Sequence, residues 1–223
     1  MTRTITLPDS LSLSDLATYL GRAARVEDGS VRLIAGRGVL AVYTAVLYPA
    51  GLLDGTPTVL GLRTYQVDAE ADLDVVVPVR SLRERLVRLQ GEVVDPTAPV
   101  TVSLPVEVAT VTWAAISPPR GGWSPLPVIR RDRLTTSAEA GIAEVAAAVP
   151  TGTGEQIVHR VRSEVWSRPV QGAEGVPAGA AFAALSLGFL ADDGPVDVFE
   201  TGPWTRLTTK RGHVLVKRRA TLL

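Results

Sequence analysis

The chain has 223 residues, 46% of them hydrophobic and 21% charged, with 23 basic and 23 acidic side chains and no formal net charge. That length suits one large domain or two small ones, and the composition is that of a packed fold rather than a disordered chain. The charge balance favours neither nucleic acid nor a membrane surface, and the lack of cysteine excludes disulfides, thiolate catalysis and Cys-based zinc sites. Residues 2–7 alternate threonine with apolar side chains and read as an edge strand. A helix is expected over 14–25, capped by Ser12 or Ser14, with Asp15 in its first turn and Leu13, Leu16, Leu20 and Ala24 at helical spacing. Asp28-Gly29 ends it. Two apolar, β-branched runs, 31–35 and 39–48, flank Gly36-Arg37-Gly38 and predict a hairpin. A loop with Pro49, Gly51, Gly55 and Pro57 leads to a strand over 58–67. Asp68, Glu70, Asp72 and Asp74 follow as an acidic run.

The strand 73–77 then meets Pro78, whose missing N–H costs nothing at a helix start. The next helix carries Val79, Leu82, Leu86 and Leu89 on one face. Arg80, Arg83, Arg85 and Arg88 lie on the other, with Glu84 among them. Strands are expected at 100–104 and 106–116. Residues 117–133 hold Pro118, Pro119, Gly121, Gly122, Pro125 and Pro127 around Trp123 and read as a connector. Beyond it Ser137 caps a helix through Val149, which Pro150 and Gly152 end. Residues 156–170 alternate and are expected to be mainly strand, and 177–190 to be a helix. Three closing strands follow at 196–200, 204–209 and 213–219, the last two joined by the basic turn Lys210-Arg211-Gly212.

In both halves Val-Pro opens a helix, and a pair of strands follows. The order of helix, hairpin, strands, Val-Pro helix, paired strands and Pro-rich connector, partly repeated, resembles the repeat unit of DNA sliding clamps, the processivity rings of replicative polymerases. Over most of 14–219 the resemblance is one of element order. Its motif is Val76-Val77-Pro78-Val79 and Val176-Pro177-Ala178, similar to the Thr/Val-Val-Pro-Ala segment that opens the second helix of each domain in the bacterial clamp. It implies an α+β fold of two related units of antiparallel sheet with two helices each. The units would span 1–117 and 135–223, joined by a connector over 118–134. A two-unit chain matches the archaeal and eukaryotic kind, in which three subunits of two domains close the ring. The second unit departs from that pattern by being one or two strands shorter.

Clamp helices face phosphate, so the resemblance implies basic helix faces. The candidates for nucleic-acid contact are Arg22 and Arg25 on the first helix and Arg80, Arg83 and Arg88 on the second. Lys210 and Arg211 on the last hairpin are further candidates. The third helix has Glu139 and Glu144 and no base, and the fourth has no charge. An uncharged helix carrying Phe182 and Phe189 reads as having protein on both sides, as at a domain or subunit contact. Trp123 reads as a plug between units or as an anchor for a partner.

Other motifs point elsewhere or nowhere. Gly36-Arg37-Gly38-Val39-Leu40-Ala41 fits a dinucleotide-binding turn, but β formers follow it where that motif needs a helix, so it reads as the hairpin turn. His159 and His213 are the only histidines, and no spacing joins them to carboxylates in a triad or metal site. The acidic run reads as a solvated loop rather than a cation site. No apolar run approaches the roughly 18 residues that span a bilayer, and residues 1–10 lack the apolar stretch of a signal peptide. A cytoplasmic location away from membranes is the expectation. The expected function is a non-catalytic binding or assembly protein that needs no cofactor or metal and that meets a protein partner or a second copy of itself. DNA tethering is the first alternative, and a small enzyme with an unrecognised site the second.

Overall fold

The structure is a computed structural model that describes residues 3–218 except 52, 110 and 151. Thr2 and Arg219, read above as strand ends, lie outside the described residues. Residues 1–45 with 62–117 form one compact unit, and 46–61 with 118–223 form a second.

Unit 1 contains β1 (Thr4–Leu7), α1 (Ser10–Val26), β2 (Ser30–Gly36), β3 (Val39–Leu47), β4 (Thr58–Gln66), β5 (Leu73–Pro78), α2 (Val79–Glu92) and β6 (Val100–Ser103), with β3 and β4 carrying the chain into and out of unit 2. Helix α1 starts earlier than expected because Asp9, not Ser12 or Ser14, is its cap: the Asp9 carboxylate accepts from the Ser12 N–H at 2.7 Å. Its buried stripe is Leu13, Leu16, Tyr19, Leu20 and Ala23. The β2–β3 hairpin turns at Arg37 and Gly38, whose φ values of 54° and 78° are those of a two-residue turn matched to strand twist. The strand order is β5-β2-β3-β4, and β1 pairs with β6 in a separate two-stranded sheet. No strand forms over 106–116 among the described residues. Pro105 offers no N–H to a ladder, and the segment keeps one strand-like bond, Val108 N–H to Val76 O at 2.8 Å. It then closes in a 3₁₀ turn, Thr112–Ala115, that buries Trp113.

Unit 2 contains β7 (Ser124–Ile129), α3 (Arg131–Ala148), α4 (Glu155–Ser167), β8 (Pro169–Val170), β9 (Ala173–Pro177), α5 (Ala178–Ser186), β10 (Val196–Thr201), β11 (Trp204–Thr209) and β12 (Gly212–Lys217). Its strand order runs β12-β11-β10-β7. Two expectations fail here. The segment read as connector supplies β7, an edge strand with a register shift against β10, where a sheet tolerates Pro125 and Pro127. The segment read as strand is α4. Ile157, Val161 and Val165 recur every four residues, which suits a helix as well as their alternation suits a strand. Val165 and Trp166, adjacent in sequence, are both buried, which a strand with one inward face does not allow.

Helix α5 is two-thirds alanine and glycine and packs against α3, α4 and β12 of its own unit. That enclosure explains why it carries no charge. Glycines make the approach close: a Cβ on Gly141 of α3 would stand 2.2 Å from the Trp166 ring, and one on Gly179 of α5 would stand 3.1 Å from the Trp166 carbonyl oxygen. Among the described residues no helix is long and apolar enough to cross a membrane.

The two Val-Pro junctions share a local geometry. Pro78 and Pro177 are both extended helix caps, at φ −61°, ψ 128° and φ −71°, ψ 150°. Each pairs with the first residue of its partner strand, Ser30 in one case and Pro169 in the other. The residue after each proline donates its N–H to the carbonyl just before that strand, Val79 to Gly29 at 3.0 Å and Ala178 to Arg168 at 2.7 Å. Unit 2 differs by inserting α4 after α3 and by keeping only the β8–β9 hairpin where unit 1 has β2 to β5.

Two tests follow from this packing. Gly141→Ala gains about 1 kcal/mol of helix propensity and loses about 1–3 kcal/mol to overpacking against Trp166, so the denaturant midpoint is expected to fall. In unit 1 Arg32 donates to both Asp74 oxygens, at 2.8 and 2.6 Å, and this hydrogen bonding holds the Asp74 carboxyl below its ordinary range. The stabilisation is complete above the unfolded value of about 3.9 and disappears as pH falls through the lower folded value. Thermal unfolding of Asp74→Asn is expected to show a shallower loss of stability below about pH 4 than the parent.

Candidate functional site

The arginines of unit 1 gather on its helix pair. Helices α1 and α2 run antiparallel: Gln90 Nε2 donates to Ser14 Oγ at 3.0 Å, and Arg83 Nε lies 3.6 Å from where a Cβ on Gly21 would stand. This register brings Arg22, Arg25, Arg80 and Arg83 to one end of the pair. Toward the other end Leu11 and Val94 are 77% and 97% exposed.

These cations differ in what surrounds them. Arg80 meets Glu84 at 3.2 Å and Arg88 meets Glu92 at 4.0 Å, both solvated pairs one turn apart that contribute little. Arg85 is committed to structure, donating to the Ser103 and Leu104 carbonyls at 3.1 and 3.2 Å and tying α2 to the end of β6. Arg25 and Arg83 are exposed and make no ion pair with a described residue. Along α2 runs a trough of about 1100 Å³ lined by Arg3, Arg85, Arg88, Ser103 and Glu107, in which Arg3 pairs with Glu107 at 2.5 Å.

In unit 2, α3 begins at Arg131 rather than at Ser137 and so carries Arg131 and Arg133, of which Arg131 pairs with Asp193 at 2.8 Å. On α3, Glu144 receives two hydrogen bonds from Arg168 at 2.8 Å. Lys210 is exposed at the β11–β12 turn, while Arg211 is held by both oxygens of Asp192 at 2.9 and 2.8 Å. Phe182 stacks on Trp166 with ring centres 4.4 Å apart. Phe189 is 2% exposed and belongs to the core, so it offers no surface to a partner. Trp123 donates its indole N–H to the Pro119 carbonyl at 3.1 Å and lies against Arg206.

The histidines sit apart from each other. His213 is on β12, with Nδ1 3.1 Å from Thr208 Oγ1; burial, then the nearby Arg206 charge, push its pKa below the ordinary 6.5. His159 is on α4, and there the fold assembles a group that sequence spacing did not reveal. Asp54, in the β3–β4 loop, accepts from the Ala50 and Thr56 N–H groups at 2.7 and 2.9 Å and from the Thr56 hydroxyl. The Thr56 hydroxyl also meets Ser163 Oγ. His159 Nε2 lies 3.9 Å from Asp54 and 3.4 Å from the Tyr48 carbonyl. Burial raises the Asp54 carboxyl, but the hydrogen bonds from Thr56 and Ala50 and the field of His159 outweigh it and hold the group below its usual range.

Serine, histidine and aspartate therefore share a neighbourhood without forming a triad. Ser163 is bonded to Thr56 rather than to His159, so no base is aligned on a nucleophile. The sequence signal was Asp54-Gly55-Thr56, a side-chain turn that fixes the loop. Of the acidic run, Asp68 binds its own loop, accepting from the Glu70 N–H at 3.1 Å, while Asp74 lies on β5 and is held by Arg32. Among the described residues no group of three or more His, Cys, Asp or Glu side chains is placed to hold a metal ion.

Residues 1–105 match a family model described as Domain of unknown function (DUF8010), and residues 118–221 match Domain of unknown function (DUF8185). No curated protein matches the chain. Among solved structures it is similar to pol III beta of Caulobacter crescentus, at 11% identity and a TM-score of 0.51, over 99% of this chain and 66% of that one. It is similar to the DnaN sliding clamp, DNA polymerase III subunit beta, of Bartonella birtlesii, at 13% identity and a TM-score of 0.51, again over 99% of this chain and 66% of that one. The chain thus spans 66% of the length of each of these clamps. Identities this low speak for architecture alone. With its antiparallel sheets and its helices opened at Val-Pro junctions, the chain is an α+β protein of the sliding-clamp fold.

Proposed function

We propose that this chain is a non-catalytic binding protein that tethers duplex nucleic acid through the basic end of the α1–α2 pair in unit 1. The reading rests on one observation above all: Arg25 and Arg83 lie exposed on adjoining helices with no described carboxylate to neutralise them, beside Arg22 and Arg80. Cations so placed release counterions when phosphates approach, and that release drives binding whatever the base sequence. The fold supports the reading, since the solved structures it resembles are described as sliding clamps and polymerase III beta subunits. The apolar end of the same pair and the charge-free α5 confine the interaction to one part of one unit. The grip is therefore local, and it reads the phosphate backbone more than the bases. The Asp54 group favours no enzymatic alternative, because its hydroxyls and carboxylate are engaged with one another.

Fluorescence anisotropy with a labelled duplex over a salt series tests this. Binding is expected to weaken as salt rises, and Arg25→Glu with Arg83→Glu is expected to weaken it further and to flatten the salt slope by about 2, one for each phosphate no longer neutralised. Lys210→Glu, in unit 2, is expected to change neither. A parent protein that shows no salt-dependent affinity for duplex would end the proposal.

A further inference from the structure

Arg206 on β11 is unlike the other structured arginines. Arg32, Arg63, Arg130, Arg168 and Arg211 each lean on a carboxylate. The Arg206 side chain makes no ion pair or hydrogen bond to another described residue, and its Nε is buried without a partner. Its guanidinium is clasped instead by two rings: the central carbon lies 4.5 Å from the centre of the Trp123 ring and 4.6 Å from that of Phe199. Phe199 stands directly across the β10–β11 ladder, and Trp123 is fixed by its own bond to Pro119. Burial holds the guanidinium below its ordinary pKa range, the mark of a charge short of solvation. Aromatic faces recover only part of what lost water supplied.

The clasp also selects geometry. With two rings lying against it and Nε closed off, the guanidinium meets a further partner through its Nη edge. Two coplanar oxygens, as in a carboxylate, fit that edge. A phosphate also fits that edge, so the surrounding charge decides between the two. Asp197 is exposed on the same face of β10, two residues before Phe199, and Arg211 nearby is already neutralised by Asp192. A chain of phosphates would run past Asp197, whereas a single carboxylate need not. Arginine and tryptophan are also the side chains that most often anchor protein interfaces.

We propose that Arg206, framed by Trp123 and Phe199, is the anchor of a protein-docking site in unit 2, receiving an Asp or Glu side chain whose apolar neighbour lies on the Trp123 ring. The site is independent of the arginine face in unit 1.

A blocked tetrapeptide of alternating Glu and Leu serves as probe, with its Gln-Leu counterpart and a single-stranded oligonucleotide as comparisons. Nitrogen-15 spectra of the full chain follow the Arg206 side chain and the Trp123 indole N–H. The Glu peptide is expected to shift both signals saturably, and the Gln peptide to leave them in place. Arg206→Lys, which keeps the charge but not the planar fork, is expected to weaken the Trp123 response at least tenfold. Trp123→Leu, which leaves Arg206 intact, is expected to weaken the Arg206 response and guards against a folding defect in the first variant. A Gln peptide that acts equally, a response that survives both variants, or no saturable response would overturn the site. Shifts produced at lower concentration by the oligonucleotide, or by raising protein concentration alone, would overturn the partner class in favour of nucleic acid or a second copy.

Discussion

One amide in each unit fixes where a helix leaves its strand. Proline ends the strand at Pro78 and Pro177, and the next N–H, on Val79 or Ala178, would be stranded inside the protein. It is caught by the carbonyl that precedes the partner strand, Gly29 or Arg168. A buried amide left without an acceptor costs about 1–3 kcal/mol, so helix, strand end and partner strand form together or not at all. The apolar stripe of α2, Val79, Leu82 and Leu86, is buried as a consequence of this junction. The crowding of Gly179 against the Trp166 carbonyl in unit 2 has the same origin. Shared physics at this point, rather than shared sequence, is what the two halves have in common.

What can be read from the residues depends on whether one periodicity dominates. The β2–β3 hairpin, both Val-Pro helices and the three closing strands are legible because turn chemistry and alternation agree there. Segment 156–170 misleads because Ile157, Val161 and Val165 satisfy two periods at once, and only Trp166 seated over Gly141 decides for the helix. Segment 106–116 has the composition of a strand but keeps a single strand-like bond to β5, from Val108 to Val76, before the tight turn that buries Trp113. The prolines near Trp123 suggest a connector; paired to β10, they mark a sheet border instead.

The functional surfaces are legible by type and not by partnership. Helical periodicity places the arginines of α2 on one face, but it cannot tell Arg83, left open to solvent, from Arg85, which is committed to the Ser103 and Leu104 carbonyls. Arg211 has the look of a free base in the sequence and is held by Asp192, a residue from the preceding loop. Phe189 has the look of an outward anchor because α5 has no charge, and it is the core of unit 2 that explains both facts. The Asp54 group and the Arg206 clasp each join residues far apart along the chain, where no local rule reaches.

The border strand β7 has a further effect. Sheets polymerise when an open margin presents amides to a neighbour's carbonyls, and Pro125 and Pro127 leave two gaps in that row within a strand six residues long. Main-chain zippering therefore stalls at this margin even in a crowded solution. Whatever comes alongside β7 has to be held by side chains, which makes association there selective where a bare strand would be sticky.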